Sequence, residues 1–202
     1  MYNFMYGKLQ MEYRLTKDQL LDILAGWNRF LKRRVRMIAC GGTAMTLIGV
    51  KQSTKDVDFM VPEEKEYRYL IKILKKLGYE QVTGAGWQRN DEQFRFDLFR
   101  GNRIHTTTLL ESPLVEGRHT LMMEYSQLYI GILNDYDLIA SKLMRGEPVD
   151  YEDCLMLAKY RKKQLDLNHL KAHWHEMIDY EIAEDRIRPY LNTFLERLNE
   201  RE

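Results

Sequence analysis

The chain is poor in cysteine, with only Cys40 and Cys154 among its 202 residues. The two lie far apart, and their spacing matches no cysteine-based metal site. Two isolated cysteines also exclude the disulfide framework of a small secreted domain. We therefore expect reduced thiols in a cytoplasmic protein.

The sequence also lacks a long apolar run. No segment approaches the roughly 20 apolar residues that a membrane-spanning helix needs. Residues 1–11 are rich in aromatic side chains and do not show the basic and then apolar pattern of a secretion signal. The sequence therefore predicts no membrane partner.

An excess of charge of either sign is missing as well. Lys and Arg number 31 against 30 Asp and Glu, which gives a formal net charge of +1. No overall field would draw the chain to nucleic acid, so an RNA contact would need a local basic patch. What is present, 45% hydrophobic and 30% charged residues, is typical of a globular protein with one large domain or two small ones.

The first two thirds of the chain alternate helical and extended patterns. Thr16 and Gln19 have the spacing of a capping box, and leucines at helical spacing follow as far as Arg33 and Arg34. A glycine pair separates a strand from a short helix, and Pro62 ends the clearest strand. The predicted elements are strands at Val35–Cys40, Asp56–Val61, Tyr79–Thr83 and Phe94–Phe99, helices at Thr43–Gly49 and Glu63–Leu77, and extended stretches within residues 103–109 and 118–132.

The pattern becomes helical from Asn134 onwards. Asn134 is the predicted N-cap of a helix that ends near Arg145, where Gly146 breaks the pattern. Asp150 is the predicted cap of the next helix. The remaining predicted helices cover residues 166–180 and 184–200.

This change of pattern predicts an α+β fold, in which a mixed sheet flanked by helices is followed by a C-terminal helical region. Residues 1–133 would form the α/β core, and residues 134–202 would pack directly on it. No low-complexity linker separates the two parts.

Two carboxylates stand one residue apart in the clearest strand. Asp56 and Asp58 project from one face, roughly 6.6 Å apart by the rise of a strand, and can turn onto a shared divalent metal. A third carboxylate on a neighbouring strand would allow two metals, and Asp97 is the candidate. Without a cation such a cluster would repel itself, so Mg²⁺, or Arg95 or a lysine in its place, would have to compensate.

Gly41 and Gly42 follow a strand and open a helix. Without side chains they let backbone amides approach a phosphate, and the start of the helix adds unpaired N–H groups and a positive dipole end. Thr43 adds a hydroxyl donor. The order of strand, glycine pair, helix and paired carboxylates predicts chemistry on a nucleoside triphosphate.

Gly41-Gly42-Thr43 followed by Asp56-Val57-Asp58 resembles the signature of the DNA polymerase beta-like nucleotidyltransferase superfamily. In that superfamily the glycine motif binds triphosphate, the two strand aspartates bind metal, and a carboxylate on a later strand completes the set. Phe96-Asp97-Leu98 resembles this third element. The resemblance implies Mg²⁺ or Mn²⁺ as the cofactor, and catalytic and metal-binding roles for Asp56, Asp58 and Asp97.

The helical part extends the resemblance. Lys142-Leu143-Met144-Arg145, followed by Asp150 and Asp153, is similar to elements of AbiEii-type toxins, which are minimal nucleotidyltransferases of toxin–antitoxin systems. The resemblance covers roughly residues 12–165 and implies a hydroxyl of RNA, tRNA or protein as the acceptor, and an antitoxin as a partner. The residues it assigns to substrate binding are Gly41, Gly42, Thr43, Lys142, Arg145, Asp150 and Asp153.

Simpler interpretations stand beside these assignments. Asp97 could pair with Arg95 or Arg100 instead of binding a metal. Lys142 and Arg145, three residues apart on a helix, could be an exposed basic pair. If these simpler interpretations hold, the same fold would bind nucleotide, RNA or a protein partner without turnover.

Overall fold

The structure is a computed structural model that describes residues 13–200, and only the backbone at residue 163. The prediction about residues 1–11 therefore lies outside the described residues. The strands are β1 (Leu15–Thr16), β2 (Val35–Ala39), β3 (Ser53–Thr54), β4 (Val57–Val61), β5 (Tyr79–Gln81), β6 (Gly86–Arg89), β7 (Phe96–Arg100), β8 (Arg103–Ile104), β9 (Thr107–Thr108), β10 (His119–Glu124) and β11 (Leu128–Leu133). The helices are α1 (Lys17–Asn28), α2 (Gly41–Leu47), α3 (Glu64–Lys76), α4 (Asp135–Arg145), α5 (Pro148–Arg161), α6 (Leu167–Ile178) and α7 (Glu184–Asn199), with a short 3-10 helix at Lys162–Gln164.

Within the described chain, a seven-stranded mixed sheet has the order β10-β11-β2-β4-β7-β6-β5. β11 runs parallel to β2 and β4 runs parallel to β7, whereas β2 and β4 are antiparallel. The central strands β4 and β7 are almost wholly buried and apolar, apart from the two aspartates Asp58 and Asp97. A mixed sheet with flanking helices and a helical C-terminal region confirms the predicted α+β fold.

The first helix begins as predicted and ends earlier. The Thr16 side chain accepts a hydrogen bond from the Gln19 amide, and the Gln19 side chain accepts one from the Thr16 amide, so the capping box is confirmed. The helix ends at Asn28, before Arg33 and Arg34, because the chain turns there to bring Val35 into the sheet, where its amide donates to the Gln127 carbonyl.

The helical region begins with the predicted cap. The Asn134 side chain accepts from the Asp137 amide at the start of α4, and Gly146 ends the helix with a left-handed φ of 68°. The predicted cap at Asp150 is wrong, because Glu147 is the N-cap of α5 and Pro148 takes the first helical position. Asp150 instead lies inside the first turn, with its side chain buried.

The helical region packs directly on the sheet region. The predicted boundary between residues 133 and 134 falls between β11 and α4, but one apolar core runs across it, from Leu15 to Phe194. Polar contacts cross it as well, since the Tyr160 hydroxyl on α5 donates to the Ile48 carbonyl after α2. None of the described helices has the length and hydropathy needed to cross a membrane.

Candidate active site

Asp58 and Asp97 are neighbours across the two central parallel strands. They are register partners in β4 and β7, so their side chains leave the same face of the sheet from Cα atoms roughly 4.8 Å apart. Both side chains are buried, with 8% and 5% of their surface exposed. The structure thus brings together the second and third predicted carboxylates, beside the start of α2.

Gly41 is the residue that makes space for Asp58. Its φ is +56°, and a Cβ at this position would lie 2.6 Å from Asp58 Oδ2. Gly42 is also closely packed, because a Cβ there would lie 2.9 Å from Thr54 Oγ1. The glycine pair therefore lets the first turn of α2, whose amides have no partners within the helix, approach the carboxylate closely.

The Thr43 hydroxyl is used inside the protein. It is fully buried, accepts a hydrogen bond from the Asp58 amide at 2.8 Å and donates to the Asp56 carbonyl at 3.2 Å. In this structure its side chain therefore fixes the start of β4 against α2. The predicted donation from this hydroxyl to a phosphate would require its bond to the Asp56 carbonyl to break.

Asp56 differs from its predicted place on the strand. It lies in a bend before β4, and its side chain is 55% exposed. The reason is that its carbonyl accepts hydrogen bonds from the hydroxyls of Thr43 and Thr54, not from a sheet neighbour. Its carboxylate lies at the rim of the site, 4.0 Å from Arg95.

Arg95 supplies the positive charge that the carboxylates need in this structure. Its Nη2 lies 2.9 Å from Asp97 Oδ2, whereas Arg100 pairs with Glu64 on α3. The sequence left open which of the two arginines would pair with Asp97, and the structure selects Arg95. The described residues contain no group of three or more His, Cys, Asp or Glu side chains that could hold a metal ion.

The Asp58 carboxyl is in an unusual electrostatic environment. Burial, followed by the negative charges of Asp97 and Asp56, raises its pKa to about 7, although Arg145 and Lys142 oppose this rise. Removal of the carboxylate from water is therefore the main cost of its negative charge, and its acidic neighbours add to that cost. A divalent cation bound beside Asp58 would offset both effects.

His105 also lies at the site, although no sequence pattern indicated this. It lies in the turn between β8 and β9 with φ at +51°, and its Nε2 is 3.9 Å from Asp58 Oδ1. Its ring packs edge-on against Phe99, and burial followed by the Arg145 charge lowers its pKa. Only the fold of the hairpin brings it to the carboxylates, so neither spacing nor composition could have identified it.

Lys142 of the predicted basic pair lies in a buried ion cluster, which the more exposed Arg145 joins through Asp150. Lys142 Nζ lies 2.7 Å from Asp153 and 3.5 Å from Asp150, and only 4% of the Lys142 side chain is exposed. Arg145 donates through Nε to Asp150 at 3.1 Å. Lys51, which the sequence analysis missed, pairs with Asp153 at 2.6 Å.

Within this cluster Lys142 and Arg145 differ in how far their side chains are exposed to solvent. Lys142 is enclosed between two carboxylates, while 35% of the Arg145 side chain is exposed and its charge reaches Asp58. Burial would raise the pKa of Asp153, but Lys142 and Lys51 outweigh burial and lower it. Arg145 is therefore the member of the pair that is accessible to a bound substrate.

A groove of about 920 Å³ adjoins the hairpin that carries His105. It lies between the β8–β9 hairpin and the turn from α6 to α7, and it contains Thr106, Thr108, Glu176 and Tyr180. The hairpin therefore separates the carboxylate site from a large polar groove.

Both cysteines are buried free thiols. Cys40 precedes Gly41, its amide donates to the Asp58 carbonyl, and burial together with the Asp58 charge raises its pKa well above 9.0. Cys154 lies on α5, where burial raises its pKa. One thiol is therefore part of the site and the other belongs to the helical region.

The model of a family described as "Nucleotidyltransferase of unknown function (DUF6036)" matches residues 18–201. The chain belongs to this family. Its general chemistry is nucleotidyl transfer, as the resemblance of the glycine and aspartate motifs implied, and the superfamily assignment is confirmed.

Three solved structures are similar to the chain at low identity. A putative nucleotidyltransferase from Thermotoga maritima has 14% identity and a TM-score of 0.46, covering 76% of this chain and 99% of that one. ANT(2″)-Ia, in complex with adenylyl-2″-tobramycin, has 13% identity and a TM-score of 0.43, covering 90% and 97%. An antigenic nucleotidyltransferase-like protein from Paracoccidioides brasiliensis has 13% identity and a TM-score of 0.46, covering 89% and 95%. No curated protein sequence matches the chain.

Proposed function

We propose that this protein is a divalent-metal-dependent nucleotidyltransferase that moves a nucleotidyl group from a nucleoside triphosphate to a hydroxyl acceptor. The observation that carries this proposal is the pairing of Asp58 with Asp97, as buried neighbours on parallel strands beside the glycine turn at Gly41. Paired buried carboxylates beside an amide-rich turn suit a metal–triphosphate complex.

The residues of the site fit Mg²⁺ or Mn²⁺. Asp58 and Asp97 are buried register partners on neighbouring strands and would hold the ion, with Asp56 as the third acidic group at the rim. Proteins commonly hold Mg²⁺ with one or two carboxylates, and water and substrate phosphates complete the shell. When bound, the ion neutralises phosphate charge.

The remaining residues of the site would divide the other tasks. The amides of Gly41, Gly42 and Thr43 would face the triphosphate, and Asp97 would take the proton of the acceptor hydroxyl. The acceptor oxygen bonds to the α-phosphorus as the bond to pyrophosphate breaks. Arg145 would neutralise the departing pyrophosphate.

The buried cluster would set the position of Arg145. Lys142 lies between Asp150 and Asp153, and Asp150 binds the Arg145 guanidinium directly. Of the four cluster residues that were predicted to bind substrate, Arg145 would therefore make the contact, and Lys142, Asp150 and Asp153 would fix its position. The groove beside Thr106 and Thr108 would admit the acceptor.

The test is label transfer from each of the four nucleoside triphosphates to total RNA or cell extract, with Mg²⁺. We expect Asp58→Asn and Asp97→Asn to lower transfer on the order of 100-fold, because each removes a proposed ligand of the metal. Asp91→Asn is the matched control, since Asp91 is 70% exposed and pairs with Arg89, away from the site. Transfer that persists in both site variants would reject the assignment.

A finer proposal concerns the biological role. We propose that the protein is an AbiEii-type toxin of the cytoplasm, which modifies RNA, tRNA or protein and is neutralised by an antitoxin. Its support is the Lys142–Arg145 pair with Asp150 and Asp153, which the fold gathers into one cluster. Induced expression should then stop growth, and the Asp58→Asn variant should be harmless. Growth inhibition by both proteins would contradict a catalytic toxin.

One observation favours a second candidate, a module that binds without turnover. Arg95 already neutralises Asp97 and lies close to Asp56, so the carboxylates have a cation without any metal. Such a module would bind nucleotide, RNA or protein and release no pyrophosphate with any acceptor. Pyrophosphate release that depends on Mg²⁺ would exclude it.

A further inference from the structure

Arg95 contacts two acidic residues of the site through a single nitrogen. Its Nη2 is 2.9 Å from Asp97 Oδ2 and 4.0 Å from Asp56 Oδ1. Arg95 directly precedes β7, and Arg100 at the end of β7 has the same charge but binds Glu64 on α3. Arg95 therefore occupies the position of a counter-ion for the proposed metal ligands.

Gly86 on the neighbouring strand makes room for the stem of this arginine. A Cβ at Gly86 would lie 2.5 Å from Arg95 Cδ and 3.0 Å from its Nε. Nε itself is buried and has no hydrogen-bond partner among the described residues, while 36% of the side chain is exposed. The guanidinium is thus held by one charge-assisted hydrogen bond to Asp97, while its Nε donor is unsatisfied, which makes its departure less costly.

We propose that Arg95 is an internal counter-ion that exchanges partners when substrate binds, an inference that rests on the proposed function. In the ligand-free protein its guanidinium neutralises Asp97 and Asp56. On binding of a metal–nucleotide complex, Arg95 releases the carboxylates to the metal and pairs with the triphosphate. The same side chain therefore opposes binding of the metal alone and supports binding of the nucleotide.

In this exchange neither Asp97 nor the Arg95 guanidinium is left without an oppositely charged partner. The carboxylates lose one cation and gain another, and the planar guanidinium moves from a carboxylate to a phosphate, which it binds with the same forked geometry. Loss of a side chain that mainly oriented Asp97 would weaken metal binding, whereas loss of a competing counter-ion would strengthen it. The two roles therefore predict effects of opposite sign.

The experiment measures Mn²⁺ binding by electron paramagnetic resonance without nucleotide, and binding of each Mg–nucleoside triphosphate by calorimetry. We expect Arg95→Gln to bind Mn²⁺ roughly five- to tenfold more tightly than the unaltered chain, and the preferred nucleotide more weakly by a similar factor. Arg95→Lys keeps the charge and should restore Mn²⁺ affinity to within about twofold. Arg100→Gln is the matched control and should change neither affinity, and circular dichroism shows whether each variant is folded.

The outcomes separate this inference from the proposed function. Tighter Mn²⁺ binding with weaker nucleotide binding supports the exchange. Weaker binding of both ligands overturns it and makes Arg95 a support for Asp97, and unchanged Mn²⁺ binding in Arg95→Gln overturns it while leaving the proposed function intact. If neither the unaltered chain nor any variant binds Mn²⁺, the metal-dependent function fails together with the exchange.

Discussion

At the scale of single residues, the site depends on Gly41 having no side chain. Asp58 lies in the space that a Cβ at residue 41 would fill, and the same residue has a left-handed φ of +56°. Two independent constraints, steric and conformational, therefore require glycine at this position. Gly49 shares only one of them, since its φ is +85° but no heavy atom lies within 4 Å of a Cβ built there.

These two glycines make a matched pair of tests. We expect Gly41→Ala to lower nucleotidyl transfer on the order of 100-fold, because the new methyl group must displace the Asp58 carboxylate. Both Gly41→Ala and Gly49→Ala should lower the free energy of unfolding by about 1–2 kcal/mol through the backbone alone. Transfer rates and urea unfolding of the two variants check this, and equal losses of transfer would show that the contact with Asp58 is unimportant.

Asp153 gives a prediction about pH. Its pKa is lowered from the ordinary value of 3.8 in the folded protein, so its pairing with Lys142 and Lys51 stabilises the fold above that pH. This contribution is lost as the pH falls through the lowered folded value, because the unfolded chain takes up the proton first. Urea unfolding between pH 7 and pH 3 should show that the free energy of unfolding falls on acidification. This fall should be smaller in Asp153→Asn.

At neutral pH the free energy of unfolding of Asp153→Asn should already be about 3 kcal/mol lower than that of the unaltered chain, because the substitution removes one partner of a buried lysine. Asp91→Asn is the control, since its exposed side chain should leave the whole pH curve unchanged. Parallel curves for Asp153→Asn and the unaltered chain would contradict the assigned pairing.

Individual residues were predictable where the chemistry lies in local spacing. Gly41, Gly42 and Asp58 are close in sequence and in space, so their pattern alone indicated a common site. Asp97 could be identified because it is an acidic residue at a polar position of another predicted strand. Lys51 and His105 were not predictable, because their contacts depend on how a loop and a hairpin turn in three dimensions.

At the scale of elements, the β8–β9 hairpin lies between the carboxylates and the groove. His105 is one of two non-glycine residues with a positive φ within the described chain, and it faces Asp58. Backbone strain of this kind concentrates at functional sites. The hairpin therefore places an imidazole beside the Asp58 carboxylate.

We expect His105→Asn to keep the fold and lose function. Asparagine tolerates the left-handed conformation, so the free energy of unfolding should stay within about 1 kcal/mol of that of the unaltered chain. Transfer should fall by about tenfold, because the shorter side chain cannot reach the site or pack on Phe99. Chemical unfolding and label transfer measured together test this, and full activity in the variant would place His105 outside the reaction.

Elements with strong caps or long apolar runs agreed best with their predictions. The capping box at Thr16 and the cap at Asn134 are both in the structure, and β4 differs from its prediction by one residue. β6 was not predicted, because Gly86–Arg89 is short and polar and becomes a strand only by pairing with β5 and β7. Tertiary pairing, not local propensity, decided that segment.

At the scale of the whole molecule, the sheet and the helical region share one apolar core. Buried side chains run without interruption from the sheet to α7, and the ion pair between Lys51 and Asp153 joins the two parts. The sequence predicted that the helical region packs on the sheet. It could not show that the ion cluster next to the site is built from both parts.

We therefore expect residues 1–133 alone to fail to fold cooperatively. Without α4 and α5 the sheet would expose apolar surface, and Lys51 would lose its partner. Thermal unfolding followed by near-ultraviolet circular dichroism should show no transition in this fragment, in contrast to the full chain. A sharp transition in the fragment would identify it as an independent domain.

The chemical reactivity of the two buried thiols can report local opening of the protein. Cys40 sits at the glycine turn and Cys154 on α5, and burial suppresses the thiolate form of both. Alkylation by iodoacetamide should therefore be slow at each thiol and limited by local opening. Nucleotide bound at the turn should slow modification of Cys40 and leave Cys154 unaffected, so peptide mass spectrometry could report substrate occupancy without any measurement of catalysis.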